Sequence, residues 1–209
     1  MSLKMNKFYL ILILISLSFS SYTKNYFNGI DYIEISNQVS SAPTIVEFFS
    51  FYCHYCYEFE FHYHIIERIK NKLNNSIQIE RYHVNSGPLG RELTEAWVIA
   101  NLLKKEKIIF PLLFNAIQKN KSIHNKNDIT KLFLQAGISI ADYNSALNSV
   151  LVKIIIKKQE LIRNQFQVNS VPSIYVNGKY KLCNIKLNNK NNNNHIQYDI
   201  NLINFLIKK

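Results

Sequence analysis

Phe48-Phe49-Ser50-Phe51-Tyr52-Cys53-His54-Tyr55-Cys56 is the stretch that decides how this chain folds. An apolar run rich in β-formers, Thr44 to Phe49, follows Pro43 and stops abruptly at Ser50. A Cys-x-x-Cys comes next. A helix-period pattern then runs through Cys56, Phe59, Tyr63, Ile66, Ile69 and Leu73, predicting one helix over residues 53–73. A strand that delivers two cysteines to the first turn of a helix makes a reactive dithiol.

Residues three apart on a helix share a face, with Cα atoms roughly 5 Å apart. A disulfide needs about 4.4–6.8 Å, so Cys53 and Cys56 can close one with little backbone movement. Cys53 stands where unpaired backbone N–H groups and the positive end of the helix dipole favour a thiolate. Cys56 lies one turn deeper and is expected to be the more buried and less acidic. Cys53 is thus the nucleophile and leaving group, and Cys56 resolves. His54, if cationic, would favour the thiolate further, and Tyr55 offers one hydrogen bond. A zinc site would need more ligands, and there is no second Cys-x-x-Cys. His62 and His64 point in different directions on a helix, so no metal is expected.

Ile77 to Val84 alternates as a second strand, giving a strand–helix–strand unit with parallel pairing and a right-handed crossover. Tyr32 to Ile35 reads as a short edge strand. Beyond Gly87-Pro88-Leu89-Gly90, about 65 residues carry only helix signals. These are a stripe from Leu93 to Leu103, a second through Ile109 to Ile117 opened by Phe110-Pro111, a short helix from Asp128 to Ala136, another from Ala141, and a long one from Leu151 to Phe166. Ser173–Val176 and Lys179–Leu182 form a hairpin around Asn177-Gly178. Residues 188–194 read as a loop, and Ile196 to Ile207 as a closing helix. The layout is an α/β domain, residues 21–85 and 158–209, interrupted by a helical insertion at 86–157.

A length of 209 residues and 47% hydrophobic content fit a core of this size. Residues 1–20 read as a signal peptide: Lys4 and Lys7 precede an apolar Phe8–Leu17, with Ser18-Phe19-Ser20 as the cut region. The apolar core is short for a membrane span, although an uncleaved anchor is the alternative. Export suits disulfide chemistry, and three cysteines are too few for a disulfide-stapled scaffold. The net charge of +11 comes from lysines scattered among Asn, Ile, Tyr and Phe, not gathered in a stripe with stacking aromatics; no nucleic-acid partner is expected.

Two further positions bear on the dithiol. Glu47 shares a strand face with Ile45 and Phe49, where burial would raise its pKa and suit it to take a proton from Cys56; the alternative is a strand-end carboxylate that reaches solvent. Arg81, on the neighbouring strand, is its candidate partner or else a surface arginine. Val171-Pro172 precedes the hairpin; a cis bond there would set the Val171 backbone beside the cysteines, whereas a trans proline would merely open the strand. Cys183 reads as a small, buried hydrophobe, with an exposed thiol or an intermolecular bridge as the alternatives.

The chain resembles the DsbA-type thiol:disulfide interchange proteins of the periplasm. The resemblance spans nearly all of the chain beyond the leader. It rests on Val46-Glu47-Phe48-Phe49-Ser50-Phe51, the Cys53/Cys56 pair, Tyr82-His83-Val84-Asn85, Val171-Pro172 and Val176-Asn177-Gly178-Lys179-Tyr180. It implies a thioredoxin fold with a helical insertion, a cis Pro172, a buried acid at Glu47, and Arg81 where the family commonly has lysine. It also implies a membrane partner that reoxidises the protein and passes its electrons to quinone; the chain is otherwise expected to be a monomer, soluble after signal cleavage, with no metal or organic cofactor. One departure stands out: the family's usual Pro-His between the cysteines is His54-Tyr55 here. The expected function is a dithiol oxidase that gives its disulfide to unfolded exported proteins with free cysteines. A disulfide isomerase or reductase using the same pair, and a peptide-binding chaperone, are the alternatives.

Overall fold

The computed structural model describes residues 25–73, 77–183 and 192–209. The expected signal peptide and most of the expected loop at 188–194 lie outside the described residues. Five strands form one mixed sheet: β1 (Tyr32–Glu34), β2 (Ile45–Phe49), β3 (Ile79–His83), β4 (Ser173–Val176) and β5 (Tyr180–Leu182). Their order is β1-β5-β4-β2-β3. β2 pairs parallel with β3 and antiparallel with β4, and every one of its residues is buried, as its unbroken apolar run demands. The β4–β5 hairpin turns at Asn177 and Gly178, both at positive φ.

The single helix expected over 53–73 is two helices, α1 (His54–Phe61) and α2 (Ile65–Lys72). The chain breaks at His64, which adopts a left-handed φ of 53°. The break serves packing. Tyr57 and Phe61 of α1 lean on the core shared with the inserted helices, while Ile65, Ile66 and Ile69 of α2 fill a different core under the sheet. Phe59 of α1 reaches that second core as well, so α1 already faces both and α2 extends the second one.

After β3 come α3 (Gly90–Leu102), α4 (Glu106–Phe114), a π-helical turn (Asn115–Lys119), α5 (Lys126–Gln135), α6 (Ile140–Leu147) and α7 (Val150–Gln165), the last of which runs without a break across the expected boundary at 157. Side-chain caps start three of them: Asn125 in a capping box with Asp128, then Ser139 and Ser149. Helix α4 opens at Glu106, not at Phe110-Pro111 as expected. Pro111 sits inside it, supplies no N–H to the preceding turn, and is soon followed by the wider π turn. The closing helix α8 (Asn192–Lys208) starts a turn ahead of Ile196, so 192–194 belong to it and not to a loop.

Phe49, at the end of β2, fastens the insertion to the sheet. Its ring lies 5.1–5.9 Å from those of Phe51, His83, Trp97, Phe110 and Phe114. Burying one such ring contributes on the order of 2–3 kcal/mol, and each favourable aromatic pair about 0.5–1.5 kcal/mol more. The strand that presents the cysteines is therefore clamped by the helices above it.

Candidate active site

Ser50 shapes the approach to the dithiol. Its carbonyl accepts from the Cys53 N–H at 3.0 Å, and its hydroxyl accepts from the Tyr52 N–H at 3.2 Å and meets the Ser86 hydroxyl at 2.9 Å. The strand thus turns sharply and leaves Cys53 as the N-cap of α1, with extended backbone angles. Its sulfur accepts from the Cys56 N–H at 3.1 Å. A thiol here would otherwise have a pKa of 9.0; that of Cys53 is lowered to about 7, chiefly by a hydrogen bond from the Cys56 thiol and then by the backbone N–H groups of Cys56 and Tyr55. Cys56 is buried, and burial followed by the bond to Cys53 pushes its pKa far upward. Both cysteines are free, so the arrangement is that of the dithiol.

The side chains of His54 and Tyr55 point outward into solvent. The hydrogen bond that Tyr55 offers Cys53 comes from its backbone N–H. On the opposite side, the Val171–Pro172 peptide bond is cis, and the Cys53 thiol donates to the Val171 carbonyl at 3.4 Å. Residues separated by 118 positions thus meet at the reactive sulfur.

Beneath the pair, Glu47 and Arg81 are register partners on β2 and β3. Arg81 Nε donates to Glu47 Oε2 at 2.7 Å, and its two terminal nitrogens grip Glu60 at 3.2 and 2.8 Å. One guanidinium therefore serves two carboxylates. Burial raises the Glu47 pKa, and the Arg81 charge only partly opposes it. Burial alone would weaken the Arg81 charge, but Glu47 and Glu60 hold it cationic. These two shifts pull against each other across one hydrogen bond. Glu47 Oε1, the oxygen that Arg81 does not reach, is buried without a partner. Arg81 also stacks on the Phe110 ring, 4.0 Å from its centroid.

Glu60 and Gln118 escape sequence reasoning. Glu60 lies one turn beyond Cys56, and that i+4 spacing was the available signal. Gln118, in the π turn, donates to the Phe51 carbonyl at 2.7 Å, a contact that depends on how the insertion docks. Trp97 is a core residue whose indole N–H donates to the Arg81 carbonyl at 2.7 Å. Cys183 lies half-buried at the end of β5, away from the pair. Among the described residues, no group of three or more His, Cys, Asp and Glu side chains is placed to hold a metal ion.

The profile of the DSBA-like thioredoxin domain matches residues 81–192. The thiol:disulfide interchange protein DsbA of Pectobacterium carotovorum is 37% identical over 206 residues, 98% of this chain and all of that protein. This chain belongs to the DsbA family of thiol:disulfide oxidoreductases. DsbA of Yersinia pestis is 36% identical over 97% of this chain and 99% of its own length. DsbA of Proteus mirabilis, solved with the non-covalently bound peptide PWATCDS, superposes with a TM-score of 0.84 at 35% identity, covering 89% of this chain and all of that one. DsbA of Klebsiella pneumoniae gives the same score and identity. The thioredoxin-like DsbA fold with its helical insertion thus agrees with the fold read from the sequence.

Proposed function

We propose that this DsbA-family protein works in the oxidising direction, handing the Cys53–Cys56 disulfide to thiols of exported proteins. The observation that carries the reading is the unequal pair: one acidic, half-exposed sulfur at a helix start and one buried, weakly acidic sulfur behind it. A substrate thiolate attacks the Cys53 sulfur, and the Cys53–Cys56 bond breaks. Cys56 leaves with the electron pair and takes a proton, which Glu47 is suited to give. A second substrate thiolate then attacks the substrate sulfur of the mixed disulfide. Cys53 leaves as a thiolate, stabilised by the amides that lower its pKa. The substrate has lost two electrons and the dithiol has gained them. In the reverse direction Glu47 takes the proton from Cys56.

The Val171 backbone beside Cys53 offers an extended peptide its groups, and the peptide-bound Proteus relative supports such a mode here. His54 and Tyr55, both exposed, would form the rim that an incoming chain touches. We assign residues 1–20 as a signal peptide, residues 21–85 and 158–209 as the thioredoxin-like part, and 86–157 as the insertion. The protein then acts as a periplasmic monomer, reoxidised by a membrane partner linked to quinone. No helix among the described residues is long and apolar enough to cross a membrane.

The test is to mix the oxidised Cys56→Ala variant, charged at Cys53 with a thiol-exchangeable group, with a reduced cysteine peptide. A Cys53-linked mixed disulfide is expected, and equilibration of the native pair against glutathione should show an oxidising potential. A strongly reducing potential would instead favour a reductase. Survival of the cellular phenotype in Cys53→Ala would favour a chaperone.

A further inference from the structure

Where the sheet meets α7, three residues with buried, unpartnered polar atoms border one small void. His83 Nε2 comes from the end of β3, Gln159 Oε1 and Arg163 Nε from α7, and none of the three has a hydrogen-bond partner within the protein. All three residues line the same cavity of about 10 Å³. That is about the room a single water requires.

The hydrogen inventory fixes what fits there. The Thr94 hydroxyl donates to the Gly90 carbonyl at 2.9 Å, so toward His83 Nδ1, 2.8 Å away, its oxygen accepts. His83 therefore carries its proton on Nδ1 and presents a bare lone pair at Nε2. The Gln159 carbonyl oxygen is a second acceptor, and the Arg163 Nε–H is a donor. Two acceptors and one donor match one water with two protons and a free lone pair. An anion would face two lone pairs and Glu160, which also lines the space, and a cation would find one of its three contacts to be the Arg163 donor.

We propose that this void is a binding site for one water molecule, which donates to His83 Nε2 and Gln159 Oε1 and accepts from Arg163 Nε. His83 supports this assignment by staying neutral: burial lowers its pKa to about 3, so Nε2 keeps its lone pair at any physiological pH. The site matters because of where it lies. The His83 ring stacks on Phe51 at 5.0 Å and 28°, two residues ahead of Cys53. The water ties that ring to α7, and so holds the sheet against that helix close to the turn that carries the dithiol.

A crystal structure of the protein, with a long-range proton–nitrogen correlation spectrum of its histidines at neutral pH, tests it. The expected results are density for one fully occupied water within hydrogen-bond distance of all three atoms, and the Nδ1–H form of His83. In the Gln159→Leu/Arg163→Met double variant the water should be lost while the Nδ1–H form persists, because Thr94 sets it. A dry void, an Nε2–H tautomer, a direct Arg163-to-His83 bond, or a water that stays at full occupancy in the double variant would each overturn the proposal.

Discussion

The acidity of Cys53 divides between its neighbours in a way that single substitutions separate. The largest contribution is the Cys56 thiol, ahead of the backbone amides of Cys56 and Tyr55. Cys56→Ala keeps those amides and removes the thiol donor, so the Cys53 pKa should rise from about 7 toward 9. The pH dependence of its alkylation rate measures this; an unmoved pKa would leave the amides as the whole cause. Glu47 acts in the opposite sense, since its charge raises the pKa of both sulfurs. Glu47→Gln should therefore lower the Cys53 pKa, read from thiolate absorbance. It should also stabilise the fold at neutral pH. The folded pKa of Glu47 lies above its unfolded value, so its contribution is fully present below about pH 4.5 and is lost as pH rises through the folded value. The advantage of Gln in urea unfolding should thus grow from pH 4.5 upward. Arg81 keeps its partner in this variant, because Glu60 holds the other side of the guanidinium.

At the scale of elements, the β4–β5 hairpin shows how tightly one turn is specified. Gly178 has φ +65°, and a Cβ there would come within 2.2 Å of the Val39 carbonyl oxygen. That carbonyl cannot withdraw freely, since Val39 N–H donates to the Gly178 carbonyl at 2.8 Å. Gly178→Ala should cost upwards of about 2 kcal/mol from combined left-handed strain and overlap, seen as a fall in the urea midpoint at unchanged slope. This turn was legible in Asn177-Gly178, as was β2 in its apolar run, because both signals are local. The break at His64 was not, because apolar periodicity passes straight through Tyr63 and Ile66. The turn at His64 re-aims the chain so that Ile65, Ile66 and Ile69 join Phe59 in one core with β4 and α8, a fact about residues distant in sequence. A left-handed non-glycine residue costs about 1 kcal/mol. His64→Gly should recover up to about that amount if the break is imposed by packing, and calorimetry would show it as a raised melting temperature. Glu47 and Cys56 were legible as types at fixed spacing. Gln118 was not, since its role exists only once the π turn is docked on Phe51.

For the whole molecule, the dithiol links folding to redox state. The oxidised chain has no thiol at 53 or 56 to titrate, whereas the reduced chain has two whose pKa values move in opposite directions from 9.0. Cys53 is depressed to about 7, so the stability it gives the reduced form is fully present above about pH 9 and lost as pH falls through 7. Two pKa units correspond to at most about 2.7 kcal/mol, or about 60 mV for a two-electron couple. Solvent screening at a half-exposed sulfur reduces both. Cys56 works the other way. Its folded pKa lies above the unfolded one, so above pH 9 the unfolded chain ionises a thiol that the folded chain keeps protonated, and stability falls again. The stability of the reduced form relative to the oxidised form should therefore rise from about pH 7 and peak near pH 9. Urea unfolding of both redox forms across that range measures the curve. A difference that stays flat would mean that the folded chain does not favour the Cys53 thiolate. The reduced state would then lose the source of stability that makes the disulfide an oxidant, and the direction of transfer would have to come from the substrate.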